Sequence, residues 1–225
     1  MSSDIGSRLL TVRERMAAAC RRAGRAEDSV TLVAVSKGHH EAAVLAAAAA
    51  GQRVFAENYA QELAAKAAAT AGRDVEWHFV GGLQRNKVKK MLGLVTLVQS
   101  VDDASVAVEI DRRAAALGRV QDVLVQVNLD AEGQKSGVAP GGLAALLESL
   151  AALPWLRCCG LMAVPRPTSD AGQTRTAFRA LARLAEQHHL KHLSMGMSSD
   201  FELAIEEGAT LIRVGTAIFG PRPQV

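Results

Sequence analysis

The sequence is poor in cysteine and in aromatic residues. Its three cysteines, Cys20, Cys158 and Cys159, are odd in number and show no CxxC spacing. That argues against a disulfide framework or a zinc ribbon and fits a reducing compartment. Aromatics are 4% of the chain, which leaves no stacking platform for single-stranded nucleic acid. The net charge of +3 is too small to mark a nucleic-acid binder. HExxH, GxSxG, a Walker phosphate loop and GxGxxG are all missing. The adjacent pairs His39-His40 and His188-His189 point in different directions on helix or strand, so no metal site is expected. The longest apolar run, Ala42 to Ala50, is far too short to cross a membrane. Met1 to Ile5 lacks the basic-then-apolar pattern of a signal peptide. A cytoplasmic protein without a membrane partner is expected.

What the chain does have is alternation. Apolar residues at helical spacing predict an N-terminal helix over about Ile5–Gly24. Short β-branched or apolar runs then predict strands at Val30–Val35, Arg53–Ala56, Glu76–Val80, Leu94–Gln99, Asp122–Asn128, Leu156–Ala163, His192–Ser194 and Thr210–Val214. Helices are predicted between them, at about His40–Ala50, Glu57–Thr70, Leu83–Leu92, Asp102–Leu117, Pro140–Leu153, Gln173–His188 and Asp200–Glu207. Asp102 and Pro140 serve as start signals, and Ser199 with Glu202 fits a capping box. Strict alternation argues for a parallel sheet. The spacing therefore predicts an α/β fold, a single (β/α)8 TIM-type barrel with an extra N-terminal helix, as one domain over residues 1–225. A doubly wound open sheet is the runner-up.

The first strand ends in Val35-Ser36-Lys37-Gly38. Ligands bind at the carboxyl ends of strands in α/β folds. A lysine there, partly desolvated, can lose its proton and attack an aldehyde. From this stretch alone, a lysine snorkelling to water is the slightly favoured reading. Ser194-Met195-Gly196-Met197-Ser198-Ser199-Asp200 after strand seven and Gly215-Thr216 after strand eight resemble the two halves of a barrel phosphate cradle. Ordinary turns and caps are the alternative. Arg213, on strand eight, faces either a ligand heteroatom or an ion-pair partner. Asn58 and Tyr59 end strand two. His78 reads first as a satisfied core residue, and Cys158 and Cys159 as buried strand residues. The basic run Leu83–Lys90 reads as a solvated helix face, with an anionic-partner patch as the sharper alternative. Residues 132–137 could form a flap.

Lysine, cradle and arginine together suit pyridoxal 5′-phosphate (PLP). The sequence resembles the small PLP-binding homeostasis proteins, the YggS/PROSC-type family, whose barrel is like the N-terminal domain of alanine racemase. The stretches that carry the likeness are Leu32–Lys37, Phe55–Glu62, His78–Lys87, Gly160–Met162, Leu193–Asp200 and Arg213–Gly220. Arg85 and Gly82 depart from the family's usual residues. The resemblance implies PLP as a Schiff base on Lys37, with Ser198, Gly215 and Thr216 at the phosphate, Arg213 at the pyridine nitrogen and Asn58 beside the ring. It also implies PLP homeostasis as the function, with PLP-dependent apoenzymes as partners. An arginine stays protonated, so a ring nitrogen facing it is a poor electron sink. In the related racemases a second domain supplies a tyrosine as the opposite base, and Tyr59 is the only tyrosine here. A monomeric carrier with no catalytic residues is therefore expected, with a weak amino-acid racemase or eliminase as the alternative.

Overall fold

The computed structural model describes residues 2–130 and 136–222. Its strands are β1 (Thr31–Val35), β2 (Val54–Glu57), β3 (Glu76–Phe79), β4 (Leu97–Val101), β5 (Gln121–Gln126), β6 (Leu156–Met162), β7 (His192–Ser194) and β8 (Leu211–Val214). They pair in parallel and in chain order to form a closed barrel. Closure joins β1 to β8, with Val33 opposite Arg213. The helices are α1 (Ser2–Arg22), α2 (Glu41–Ala49), α3 (Ala60–Ala69), α4 (Arg85–Met91), α5 (Ala104–Ala116), α6 (Leu143–Ala151), α7 (Ala171–Gln187), α8 (Phe201–Glu206) and α9 (Thr216–Phe219).

The expected barrel and extra helix are both present. Helix α1 buries Leu9, Val12, Met16 and Cys20 and packs against α2, α8 and α9, covering the seam where the last unit meets the first. Arg15 pairs with Glu202 at 2.9 Å and Arg22 with Glu206 at 2.7 Å across that contact. The large apolar core lies between strands and helices, whereas Val33, Val35, Ala56 and Leu211 form a small separate cluster inside the barrel. The interior is therefore thinly filled with apolar atoms, and polar side chains complete it.

Several local expectations are corrected. Asp103, not Asp102, caps α5, because its carboxylate reaches the Ser105 and Val106 N–H groups. Asp102 instead accepts a hydrogen bond from the Gly137 N–H at 2.9 Å. The Ser199–Glu202 capping box does not form: Asp200 precedes α8, and Glu202 is drawn to Arg15 of α1. Strand β2 extends to Glu57, whose carboxylate is buried rather than opening a helix. Strand β4 starts later than expected because α4 closes with a turn through Gly93 and Leu94. A short 3-10 turn, Pro140–Gly142, precedes α6. Cys158 and Cys159 are half-buried, since the pairing slips there from Val123–Cys158 to Leu124–Gly160. Residues 132–135 of the expected flap lie outside the described residues. No described helix is long and apolar enough to cross a membrane.

Candidate functional site

A cavity of about 520 Å³ opens at the carboxyl ends of the strands. Lys37, Asn58, Ser198, Arg213, Gly215 and Thr216, the six residues expected from the sequence, all line it. They come from four elements: the turns after β1, β2 and β7, and β8 with the turn that follows it.

Lys37 is half-buried, and burial pulls its amine below the ordinary lysine range. Arg222 and, more weakly, Arg213 push it the same way, while Glu57 opposes them. The amine is thus more readily deprotonated than a free lysine. Arg222 reaches the cavity from beyond α9, with its stem against Gly38, whose φ is +72°. His39 lies at the same mouth, its ring 5.3 Å from that of Phe219, and burial holds its pKa down. Neither Arg222 nor His39 carries a sequence signal: the first follows the last barrel element, and the second sits in a His-His pair whose side chains point in different directions.

Behind Lys37 lies a second cationic residue. Lys66 of α3 is 2% exposed and uses all three of its N–H bonds. They go to Glu57 Oε1 at 2.6 Å, the Ser36 carbonyl at 2.8 Å and Glu62 Oε2 at 2.9 Å. Glu57 Oε1 also accepts from the Ser36 hydroxyl at 2.6 Å, and its Oε2 from the Asn58 N–H at 3.2 Å. Glu62 accepts from the Gly38 N–H at 2.8 Å. Both neighbours of Lys37 are therefore tied to one buried ionic cluster. Burial raises the Glu57 carboxyl against the pull of Lys66 and Ser36.

On the other side of β1, after β7 and β8, the Ser198 hydroxyl accepts from the Ala217 N–H at 3.3 Å, joining the β7 turn to the start of α9. Asp200 shapes that turn by accepting from the Met197 N–H at 2.6 Å. The turn passes through Gly196 at φ +88°, where an added Cβ would stand 2.5 Å from Ala204. Gly215 is tight as well, though less so: its Cβ would be 3.1 Å from the Val35 carbonyl oxygen. Arg213 is buried and has no carboxylate within ion-pair distance among the described residues. Burial brings its pKa to about 10, against a weaker pull from Asp200, so it is still protonated at pH 7.

Tyr59 is 59% exposed and does not line this cavity. The basic residues of α4, Arg85, Lys87, Lys89 and Lys90, are exposed, in keeping with a solvated face. His78 is a core residue: burial takes its pKa down to about 4 and keeps it neutral.

The cations at the mouth yield a pH prediction. A free amine, not an ammonium, attacks an aldehyde. Labelling of Lys37 by pyridoxal and borohydride should therefore level off at lower pH than labelling of an exposed lysine. Arg222→Gln removes one cation that disfavours the ammonium, so the midpoint should move to higher pH. An unmoved midpoint would separate Arg222 from the lysine.

The closed eight-stranded parallel barrel with helices between its strands is the fold of the alanine racemase N-terminal domain. The family described as "Alanine racemase, N-terminal domain" matches residues 9–223. The pyridoxal phosphate homeostasis protein of Aquifex aeolicus is 43% identical, over 96% of this chain and 97% of its own. That of Pseudomonas aeruginosa is also 43% identical, over 98% and 96%. The PLP-bound structure of PipY from Synechococcus elongatus superposes with a TM-score of 0.84 at 39% identity, covering 96% of this chain and 100% of PipY. Alanine racemase of Clostridium difficile shares the fold at 13% identity, with a TM-score of 0.70 over 57% of its chain. The chain belongs to the pyridoxal phosphate homeostasis protein family.

Proposed function

We propose that this protein holds PLP reversibly, as a Schiff base on Lys37, and serves PLP homeostasis without committed catalytic turnover. The observation that carries this reading is the convergence of the six expected residues on one cavity around an amine whose pKa is depressed. The residues fit the cofactor. Asn58 Oδ1 is buried without a hydrogen-bond partner among the described residues, as expected of an atom awaiting a ligand. Ser198, Gly215 and Thr216 offer a hydroxyl and a close-approach backbone for the phosphate. Arg213 presents N–H donors toward the ring nitrogen. When bound, PLP supplies a reactive aldehyde and an electron-withdrawing ring.

The residues explain binding better than turnover. Lys37 attacks and releases the aldehyde, and another amine can displace it by exchange, which would pass PLP to apoenzymes. Arg213 stays protonated and accepts nothing, so a ring nitrogen against it remains without a proton. Among the described residues lining the cavity, no tyrosine or carboxylate stands as a second base. We place this activity in the cytoplasm, carried by a monomer.

Borohydride reduction of the PLP-loaded protein, followed by peptide mapping, tests the site. A pyridoxyl group on Lys37 is expected, and a label on another lysine instead overturns the assignment. Incubation with enantiopure alanine tests the carrier reading. Stereoinversion at an enzymatic rate, lost in Lys37→Ala, would replace the carrier by a racemase.

A further inference from the structure

Four buried polar side chains, on four different strands, meet in the interior of the barrel. His78 (β3) and Arg213 (β8) are each 5% exposed, and Gln99 (β4) and Ser194 (β7) are fully buried. Register pairs place them on the inner face. Ala56 lies opposite His78, and Val33 opposite Arg213, and both apolar partners belong to the interior cluster. Barrel interiors are usually filled with branched apolar residues. Polar groups at such positions cost stability unless they bond to one another.

They do bond, in one line. Arg213 Nη1 donates to Ser194 Oγ at 2.5 Å. Ser194 Oγ donates to Gln99 Oε1 at 2.6 Å. Gln99 Nε2 lies 2.8 Å from His78 Nδ1. Arg213 Nη2 separately donates to the Ala163 carbonyl at 2.8 Å. The direction of the line follows from its first member. A guanidinium only donates, so the serine oxygen accepts from it and sends its own proton onward. The glutamine oxygen receives that proton, which turns its NH2 toward the histidine. Nδ1 of His78 must then accept, and the ring proton resides on Nε2. A flipped Gln99 would present NH2 to Ser194 and leave the serine proton without an acceptor in the line. A protonated His78 would set two donors against each other.

We propose that Ser194, Gln99 and His78 are positioning residues that clamp Arg213 from behind, so that the guanidinium offers its donors to the cavity in one fixed orientation. Two of its N–H groups are anchored on different elements, Ser194 Oγ on β7 and the Ala163 carbonyl just after β6, so the plane of the group cannot turn. No carboxylate stands within ion-pair distance to share its charge among the described residues. The consequence for function rests on the reading that Arg213 faces the ring nitrogen of PLP. A fixed, uncompensated donor there keeps that nitrogen an acceptor, which favours holding the cofactor over carbanion chemistry.

Two measurements test the clamp. In the PLP-free wild-type protein, long-range 15N–1H correlation should find His78 as the Nε2–H tautomer, with Nδ1 unprotonated from pH 5 to 8. A proton on Nδ1 overturns the proposal even if every variant fails to fold. In the PLP-loaded protein, Ser194→Ala and Gln99→Leu should keep the borohydride label on Lys37 and weaken PLP binding roughly tenfold, the effect of one lost oriented hydrogen bond. The 15N resonance of labelled PLP should show the ring nitrogen taking a proton at higher pH than in wild type. Ser194→Thr, which keeps the hydroxyl, should restore both properties. Wild-type affinity and an unshifted nitrogen in Ser194→Ala and Gln99→Leu would sink the clamp. Absence of any Lys37 label in wild type would sink the PLP reading instead, and the histidine tautomer would still judge the clamp.

Discussion

Lys66→Met is expected to destabilise the protein by about 3–5 kcal/mol, the cost of leaving a buried charge without its partner. Lys66 and Glu57 are 2% and 0% exposed, and their contact is 2.6 Å. Methionine matches the length of the stem but donates nothing. Glu57 would then keep only the Ser36 hydroxyl and the Asn58 N–H and would have to take up a proton, in the direction burial already pushes it. Urea unfolding measures the loss. The double variant Lys66→Met/Glu57→Leu should recover most of the stability, because an apolar pair of similar volume avoids desolvating either charge. PLP affinity should not recover with it. The Ser36 carbonyl loses one of its two donors, keeping the His39 N–H, and the Ser36 hydroxyl loses its acceptor, so the turn that aims Lys37 is held less firmly. Parallel recovery of stability and affinity would mean that the cluster only supports the fold.

The contrast between Lys37 and Lys66 shows how far the sequence could be read. Lys37 ends a run of β-branched residues, so its neighbours reveal that it sits at a strand end. Lys66 stands in Ala64-Ala65-Lys66-Ala67-Ala68 and looks like a solvated helical lysine. Its burial depends on Glu57 and Ser36, nine and thirty positions earlier, meeting it through the barrel. The same distinction runs through the site. Gly215-Thr216 and the serine-rich turn after β7 are local signals, and both reach the cavity. The Ser199–Glu202 capping box is a local signal too, but α8 starts one residue later, from Asp200, and Glu202 pairs with Arg15 of α1 instead. The choice between Asp102 and Asp103 at the start of α5 was beyond periodicity, because both are acidic and adjacent. Arg222 had no local pattern at all. Alternation made the barrel legible, because eight apolar runs in parallel order leave few other folds. Contacts between distant turns were not legible, because nothing in a spacing records them.

The adjacent glycines 81 and 82 carry the same limit into a prediction. By local pattern alone they are equivalent: both follow the third predicted strand, which they stop. In the structure a Cβ on Gly81 would lie 2.1 Å from the Asn58 carbonyl oxygen and 2.8 Å from its carbon. Gly81 cannot back away, because its own carbonyl accepts from the buried Ser100 hydroxyl at 2.6 Å on the other side. Asn58 is equally held, by the Glu57 carboxylate on its N–H. Gly81→Ala must therefore move backbone, and about 3 kcal/mol of destabilisation is expected, at the upper end of overpacking. Asn58 lines the cavity, so PLP binding should weaken as well. Gly82 is exposed, and its nearest neighbour would be Ser136 Oγ at 4.0 Å. Gly82→Ala should stay within about 0.5 kcal/mol of wild type, as an unobstructed surface change does. Denaturant midpoints and PLP titrations of the two variants give the comparison. Equal effects would mean that the Asn58 carbonyl does not press on Gly81, and that the turns after β2 and β3 are not packed as one wall of the site.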